Sequence, residues 1–174
     1  VKCRVQAEDM FLEYCRDLPG VACCVGNTYG GDDVVPTPHG AMVKNVALGK
    51  MPYYWKGGGP CVGIRDAARA MLLAETRGRA GERYIVAERW LDYQELFAIA
   101  AKAAGVAPPR RKIPLPVLYT MAGIADLSAF FTRRDNRFSI ASLRCSTLLP
   151  DVDSAKARRE LGWPPAPVER EAAE

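Results

Sequence analysis

A helix that leads directly into a short, uninterrupted apolar segment is the feature of this chain that most limits its fold. Over residues 4 to 17, apolar side chains recur at helical spacing and charged ones fill the other face. Pro19 and Gly20 end that helix, and residues 21 to 25 then read Val-Ala-Cys-Cys-Val. A strand that is covered on both faces in a parallel sheet has this pattern. We therefore expect residues 21 to 25 to form a buried strand of an α/β fold.

The alternation of helix and strand continues to about residue 106. Asp66 and Asp92 each stand where the cap of a following helix is expected, because a carboxylate can accept from the free amides of a first turn. Gly57-Gly58-Gly59 is interpreted as a flexible loop, since no helix follows it directly to offer a phosphate-binding terminus. The further predicted elements are a helix through Met42 to Leu48, strands at 61–64 and 83–87, and helices over 66–77 and 92–104.

From Pro108 onward the composition changes. Several prolines precede one long predicted helix, which runs from Leu118 to near Arg133. Asp153 or Ser154 is expected to cap a short last helix, and the tail from residue 169 is expected to fray. This part of the chain is therefore predicted to be mostly helix and loop.

The composition excludes several classes of protein. With 174 residues, 49% hydrophobic content and 25% charged content, the chain can bury a globular core. The positive charges behind its net charge of +4 are scattered, apart from short runs such as Arg110-Arg111-Lys112 and Arg133-Arg134. No basic stripe alternates with aromatic residues, so we expect no nucleic-acid partner. The lack of a long apolar run or a signal sequence predicts a soluble, cytoplasmic protein without a membrane partner. The six cysteines show no CxxC pair and no zinc-ligand spacing, so no metal is expected.

Five short motifs occur in an order that is typical of one protein family. They are Gln6-Ala7-Glu8, Asn27-Thr28-Tyr29-Gly30 with Asp32 or Asp33, Val62-Gly63-Ile64-Arg65-Asp66-Ala67-Ala68, Gly81-Glu82-Arg83-Tyr84-Ile85-Val86, and Ala155-Lys156-Ala157 with Glu160-Leu161-Gly162-Trp163. In these motifs the chain resembles the extended short-chain dehydrogenases/reductases, which include dihydroflavonol reductases, hydroxysteroid dehydrogenases and sugar-nucleotide epimerases.

The resemblance covers nearly the whole chain and implies the fold of the C-terminal half of such a protein. Residues 1–106 would form the C-terminal half of a Rossmann-like α/β domain, with part of its doubly wound parallel sheet and the substrate loops. Residues 107–174 would form a mostly helical substrate-binding lobe and tail. The chain has no initiator Met and no Gly-rich turn after an apolar strand, so we expect it to be cut at its front.

In the resembling family, a Tyr and a Lys four residues later carry the chemistry. The Tyr passes a proton to or from the carbonyl oxygen, and the Lys lowers the pKa of the Tyr and holds the nicotinamide ribose. The family register places the Lys position on Arg4 and the Tyr before Val1, while Lys2 lies two residues too early. The candidate catalytic cation is therefore Lys2 or Arg4, although Lys2 is equally interpretable as a surface residue.

The resemblance also assigns binding residues. Asn27, Thr28 and Tyr29 would border the nicotinamide ring of NAD or NADP, although Asn and Gly also favour a simple turn there. His39, Tyr53 and Arg65 would contact the substrate. Each has a plainer interpretation: a surface loop histidine, an aromatic residue of the packing, and a surface ion pair, respectively.

Two functions follow from these observations. The first is that of an NAD(P)-dependent oxidoreductase or epimerase, similar to dihydroflavonol reductases, which reduces a carbonyl or oxidises an alcohol by hydride transfer and is present here without its cofactor-binding N-terminal half. The second is that of a catalytically inactive remnant or binding module of the same fold. The expected partners are a small-molecule substrate and a second copy of the chain in a homodimer.

Overall fold

The computed structural model describes residues 2–31, 37–132, 139–148 and 150–172. Its elements in chain order are α1 (Lys2–Tyr14), β1 (Ala22–Val25), β2 (Asn27–Tyr29), α2 (Pro38–Ala47), β3 (Tyr53–Trp55), β4 (Gly58–Gly63), α3 (Ile64–Arg77), β5 (Arg83–Val86), β6 (Arg89–Asp92), α4 (Tyr93–Ala103), β7 (Arg111–Ile113), α5 (Leu115–Thr132), α6 (Ile140–Leu148), α7 (Ala155–Leu161) and α8 (Glu169–Ala172).

The chain forms two compact units from interleaved segments. The first unit contains residues 1–30, 60–89 and 152–171. The second contains residues 31–59, 90–151 and 172–174. The expected division of the chain at residue 106, into part of a Rossmann-like domain and a mostly helical lobe, stays a prediction.

Parallel pairing joins the strands of the first unit. β1 pairs with β5 from Ala22↔Arg83 to Val25↔Val86. β2 pairs with β4 from Asn27↔Cys61 to Tyr29↔Gly63. Parallel strands need a crossover connection, and the long connection from β1 to its partner β5 ends in α3. The predicted α/β class with parallel strands is confirmed.

Small residues of α3 let this helix pack closely over β1 and β5. Ala67, Ala70 and Ala74 are each at most 1% exposed and face the fully buried Tyr84 and Val86. α7 closes the same core with Ala157 and Leu161, and Trp163 follows directly after that helix. The largest side chains of this core are Tyr84, Leu161 and Trp163, and all three are fully buried. At roughly 25 cal/mol per Å² of buried apolar surface, they contribute most to the stabilisation of this core.

Polar contacts fix α7 against β5 at the border of this core. The Tyr84 hydroxyl donates to Glu160 at 3.1 Å, and Arg79 Nη2 donates to the same carboxylate at 2.9 Å. Lys156 Nζ donates to Glu82 at 2.5 Å and lies 4.9 Å from the centre of the Tyr84 ring. The phenol of a fully buried tyrosine is thereby satisfied, which removes the cost of burying its oxygen.

The second unit has two separate packing centres. In one, Trp55 of β3 contacts Tyr93 and Phe97 of α4, with ring centroids 5.0 and 5.9 Å apart. Asp92 caps α4 as predicted, because its Oδ1 accepts from Glu95 N at 2.8 Å. In the other centre, α5 packs on α6 through three residues that are each at most 3% exposed, namely Leu118, Ala122 and Leu143.

The predicted burial of residues 21 to 25 is wrong in part. The strand exists, but Cys24 is exposed and the other strand residues are only half-buried. Cys23 and Val25 pack against the α3 core, whereas α1 leaves Met10 and Phe11 57% and 41% exposed and covers the opposite face poorly. An apolar run makes burial of both faces of a strand favourable. Burial also requires an element that packs on each face, and the run itself does not provide one.

Three local predictions are also wrong. Asp66 does not cap α3, which begins at Ile64 after the N-cap Gly63; its carboxylate instead accepts from the backbone of Ala166. Gly58 is not part of a flexible loop but a buried residue of β4, where a Cβ would collide with the carbonyl oxygen of Leu91. The expected frayed tail contains α8, where Glu169 pairs with Arg89.

We predict that Trp163→Ala destabilises the chain by about 3–5 kcal/mol, because the ring is 1% exposed and its loss leaves a cavity in the α3–α7 core. Urea unfolding followed by circular dichroism measures this loss. Trp163→Phe should cost less, since it keeps an aromatic ring and removes an indole N–H that has no hydrogen-bond partner. Ile64→Ala is the control at a 45% exposed site, and an equal loss there would contradict the assignment.

Candidate functional site

The candidate site begins where the chain leaves β1. Gly26 N donates to Val86 O at 3.0 Å, which continues the β1–β5 pairing by one residue. A Cβ on Gly26 would lie 2.7 Å from the carbonyl oxygen of Pro60, so only glycine fits without a backbone shift. Gly26 thus lets the chain pass close to Pro60 between β1 and β2, so that Asn27 pairs with Cys61.

The three residues predicted to border a nicotinamide ring form β2 itself. Thr28 is exposed, Asn27 is half-buried and Tyr29 is 5% exposed. Alternate strand residues point to opposite faces, so Thr28 faces away from the side occupied by Asn27 and Tyr29. Of the three, Thr28 therefore presents its hydroxyl to solvent at the carboxyl end of β1, where parallel sheets bind ligands.

Arg65 lies at the same edge of the first unit. Tyr29 pairs with Gly63, the last residue of β4, and Arg65 follows two residues later in the first turn of α3. Its side chain is exposed. The fold thus brings a predicted cofactor strand and one predicted substrate residue together, although they are 36 or more positions apart in the sequence.

The other two predicted substrate residues belong to the second unit. His39 lies in the first turn of α2, which Thr37 caps by accepting from Gly40 N at 3.1 Å. Its ring is half-buried and its Nδ1 has no hydrogen-bond partner. Burial lowers the pKa of His39, so its imidazole is neutral at pH 7. Tyr53 begins β3 and is 41% exposed.

Some predicted residues lie partly or wholly outside the described structure. The backbones of Lys2 and Arg4 belong to α1, but their side chains fall outside what the structure describes. Asp32 and Asp33 lie outside the described residues altogether. α1 itself is tied to β5 by an ion pair of 2.7 Å between Glu8 Oε1 and Arg83 Nε.

Glu88 is a titratable group at the carboxyl end of β5 that sequence reasoning missed. Burial raises its pKa, although Arg89 lies 3.5 Å from its Oε2 and partly opposes that effect. Glu88 N donates to Cys61 O at 2.8 Å, and Arg158 donates to the Glu88 carbonyl. These contacts explain Glu88 as a structural residue without a catalytic role. The sequence signal that could have identified it, a charged residue two positions after a buried strand, is weak.

A cavity of about 400 Å³ lies elsewhere in the first unit. Its lining residues are Pro19, Gly20, Val21, Cys23, Met71, Ala74, Glu75, Gly78 and Ala80. This places it at the amino end of β1, opposite the edge that carries Thr28 and Arg65. Burial raises the pKa of the Cys23 thiol, which makes this cysteine a poor nucleophile at neutral pH. The cavity is therefore not the candidate site.

No cluster of three or more His, Cys, Asp or Glu side chains among the described residues is arranged to hold a metal ion. None of the described helices combines the length and apolar character needed to cross a membrane.

The chain is similar to two curated proteins, and no protein-family model matches it. It is 30% identical over 163 residues to sterol demethylase protein B of Methylococcus capsulatus, which covers 92% of this chain and 50% of that protein. It is 27% identical over 142 residues to a Synechocystis protein named as a dihydroflavonol 4-reductase, covering 79% of this chain and 41% of the other. The chain thus spans about half the length of the curated relatives it matches.

Solved structures share the fold over nearly the whole chain. The protein gox2253 superposes with a TM-score of 0.79 and is 31% identical, covering 96% of this chain and 51% of that one. A nucleoside-diphosphate-sugar epimerase from Pseudomonas aeruginosa gives a TM-score of 0.72 at 24% identity, covering 98% and 51%. RMD from the same organism, solved with NADPH, gives 0.61 at 15% identity, covering 97% and 51%.

We predict that the chain loses stability as the pH falls below about 6.5, because unfolded His39 takes up a proton more readily than buried His39. The sign follows from the lowered pKa of the folded state: the contribution is complete above the unfolded pKa and is lost below it. His39 is the only histidine of the chain, so His39→Gln should remove this component. Urea unfolding of both proteins between about pH 5 and pH 8 measures the difference. A difference that does not vary with pH would contradict the buried, neutral assignment.

Proposed function

Because this chain belongs to the family of NAD-dependent epimerase/dehydratases and dihydroflavonol reductase-like proteins, we propose that it is the C-terminal half of an NAD(P)-dependent oxidoreductase or epimerase. In that role it supplies the last strands of a Rossmann-type sheet and the substrate-binding lobe. The reaction is the reduction of a carbonyl or the oxidation of an alcohol by hydride transfer.

The observation that carries the proposal is the placement of β2. Similarity to gox2253 and to sterol demethylase protein B extends over more than nine-tenths of the chain, and within it β2 follows the carboxyl end of β1. NAD(P), when bound, supplies or accepts the hydride. Thr28 offers an exposed hydroxyl to the nicotinamide end, and Gly26 admits the close backbone approach that positions it.

A cation near the reacting oxygen assists the proton transfer that accompanies hydride transfer. α1 carries Lys2 and Arg4 in its first turn, and the Glu8–Arg83 ion pair at 2.7 Å orients this helix toward β5. An exposed ion pair of this kind adds little stability, so its role is positional. Either cation would stabilise an alkoxide that forms on the substrate during hydride transfer.

The second unit holds two of the predicted substrate residues. His39 is half-buried, and its Nδ1 has no hydrogen-bond partner among the described residues, whereas Tyr53 is 41% exposed. A ring nitrogen of this kind can meet a hydroxyl group of a ligand. We propose His39 and Tyr53 as substrate contacts in the second unit, and Arg65 as a substrate contact in the first unit.

A non-catalytic binding module of the same fold is the second candidate. It is favoured by one sequence observation: the family register places Arg4, and not a lysine, at the position of the catalytic cation. Turnover by a protein that contains both halves of the fold distinguishes the two functions.

We predict that the chain alone binds NADPH more weakly than about micromolar, since the Gly turn that grips the pyrophosphate is not among its residues. A chimera in which this chain replaces the matching half of the Methylococcus relative should bind it in the micromolar range and oxidise it with ketone substrates. Calorimetry measures the binding of NADPH, and the absorbance of reduced nicotinamide measures its oxidation.

Thr28→Val in the chimera should weaken NADPH binding by several-fold, because it removes the exposed hydroxyl and keeps the side-chain volume. Thr76→Val is the matched control, since Thr76 is exposed on α3 and bonds only to Leu72 and Leu73 carbonyls. A folded chimera that binds NADPH but turns over no carbonyl or alcohol would favour the binding-module function. Micromolar NADPH binding by the chain alone would contradict the proposal that the other half of the fold holds the pyrophosphate.

We also predict that the chain self-associates through α1 and the edge of β1. Among the described residues β1 pairs on one side only, with β5. Met10, Phe11 and Tyr14 of α1 are 57%, 41% and 65% exposed, and an unpaired strand edge beside an apolar face is a template for a second copy. Sedimentation velocity at several concentrations should show dimers or larger species.

The double variant Met10→Lys/Tyr14→Lys should shift the chain toward monomer, because it adds two charges to the apolar face of α1. Leu48→Lys is the control, a 54% exposed apolar residue outside this face. A monodisperse wild-type monomer that unfolds cooperatively at high temperature would show that the chain is a self-sufficient domain.

A further inference from the structure

An exposed apolar stripe runs along α5 in the second unit. Its members Val117, Met121, Ile124, Leu127 and Phe131 are between 47% and 75% exposed. They recur every three or four residues, so at 100° per residue they occupy about 120° of the helix surface. With a rise of 1.5 Å per residue, the stripe is about 21 Å long.

The opposite side of α5 is fixed to the protein. Leu118 and Ala122 are at most 3% exposed and pack with Leu143 of α6, and Tyr119 bonds to Thr147 at 3.1 Å. Asp126 accepts from Ile140 N at 3.0 Å and thereby holds the start of α6. The helix therefore lies on the surface of its unit with one face bound and the stripe outward.

Positive charge is concentrated in the part of the sequence that contains α5. Residues 110–148 hold seven Lys or Arg and two Asp, a net charge of +5, whereas the whole chain carries +4. The rest of the chain is thus close to neutral. Arg111 and Lys112 of β7, directly before α5, and Arg144 of α6 are exposed. On α5 itself the one charged residue is Asp126, which lies on the bound side.

We propose that the α5 stripe docks on the surface of an anionic lipid bilayer, in contrast to the sequence-based expectation of no membrane partner. A helix that lies in the interface presents an apolar face to the acyl chains and basic residues to the headgroups, and this segment supplies both. A protein groove would also accept an apolar stripe, but the excess of positive charge around it favours a negatively charged partner surface. This docking is independent of the proposed oxidoreductase function and of whether the chain turns over a substrate.

The test is co-sedimentation of the 174-residue chain with vesicles. Phosphatidylcholine vesicles are compared with vesicles that contain about one-third phosphatidylglycerol, at low and at physiological salt. We expect binding to the anionic vesicles at least tenfold stronger than to the neutral ones, and weaker binding as salt rises. Equal binding to both compositions, or no binding to either, would overturn the proposal.

Ile124→Gln/Leu127→Gln should reduce binding to anionic vesicles at least tenfold, because it places two amides in the centre of the stripe. Leu48→Gln, at a 54% exposed site on the loop after α2, is the matched control and should bind as the wild type does. Circular dichroism spectra that match the wild type show that each variant is folded. A loss of binding as large in the control as in the stripe variant would overturn the assignment to α5.

Arg111→Gln/Lys112→Gln tests the charges separately. Each basic residue near an anionic surface changes binding by about fivefold, so this variant should bind at least about fivefold more weakly, and the difference should vanish at high salt. Lys44→Gln/Lys50→Gln is the control with the same charge change at exposed positions of another element. Sedimentation without vesicles identifies the competing occupant: if the stripe variant abolishes self-association of a chain that does not bind vesicles, a second copy covers the stripe and the proposal is wrong.

Discussion

The parallel pairing of β1 with β5 is the contact on which the first unit depends. Parallel neighbours cannot be joined by a tight turn, so the chain must leave β1, form β2 and β4, and return through α3 before β5 begins. The return is possible because Ala67, Ala70 and Ala74 allow α3 to lie against the paired strands without side chains that would hold it away. The same pairing, extended by Gly26, determines where Asn27 and Thr28 stand. The candidate site is therefore a direct product of strand pairing, and its geometry tolerates little change in the glycine that ends β1.

Much of this arrangement could be predicted from local sequence, and the parts that could not have a common physical origin. The apolar run at 21–25 and the capping pattern at Asp92 express short-range preferences, and both elements formed as expected. β2, β3 and β7 have three residues each, too few for a period to be recognised. Asp66 has the sequence of a cap but bonds to the backbone of Ala166, 100 positions away. The exposure of Cys24 likewise depends on packing against distant parts of the chain, which the neighbouring residues in the sequence do not determine.

The candidate site shows the same limit. The structure brings Asn27, Thr28, Tyr29 and Arg65 to one edge of the first unit, because the carboxyl ends of parallel strands meet there. The environment of His39 was not predictable, since a histidine that follows two prolines and precedes a glycine is typical of an exposed loop. In the structure His39 is half-buried at the start of a helix. Glu88 was missed for a related reason: the rise in its pKa comes from burial, a property of the assembled unit. The topology thus explains which residues are near each other. The burial and pKa of each residue depend on the packing of the assembled unit and do not follow from topology alone.

The composition of the first unit from three separate segments has a consequence for how the chain is made. Ala157, Leu161 and Trp163 belong to the core that α3 and β5 share, yet they are synthesised some 70 residues after β5. While the ribosome is still adding the second unit, the nascent α3–β5 region lacks its cover and exposes the faces of Tyr84 and Val86. Native packing there can be completed only after the residues near 163 have left the exit tunnel, so β1 and β5 are covered well after they have been made. A nascent chain of this design has reason to depend on chaperone binding during translation, for the interval in which the α3–β5 region is uncovered.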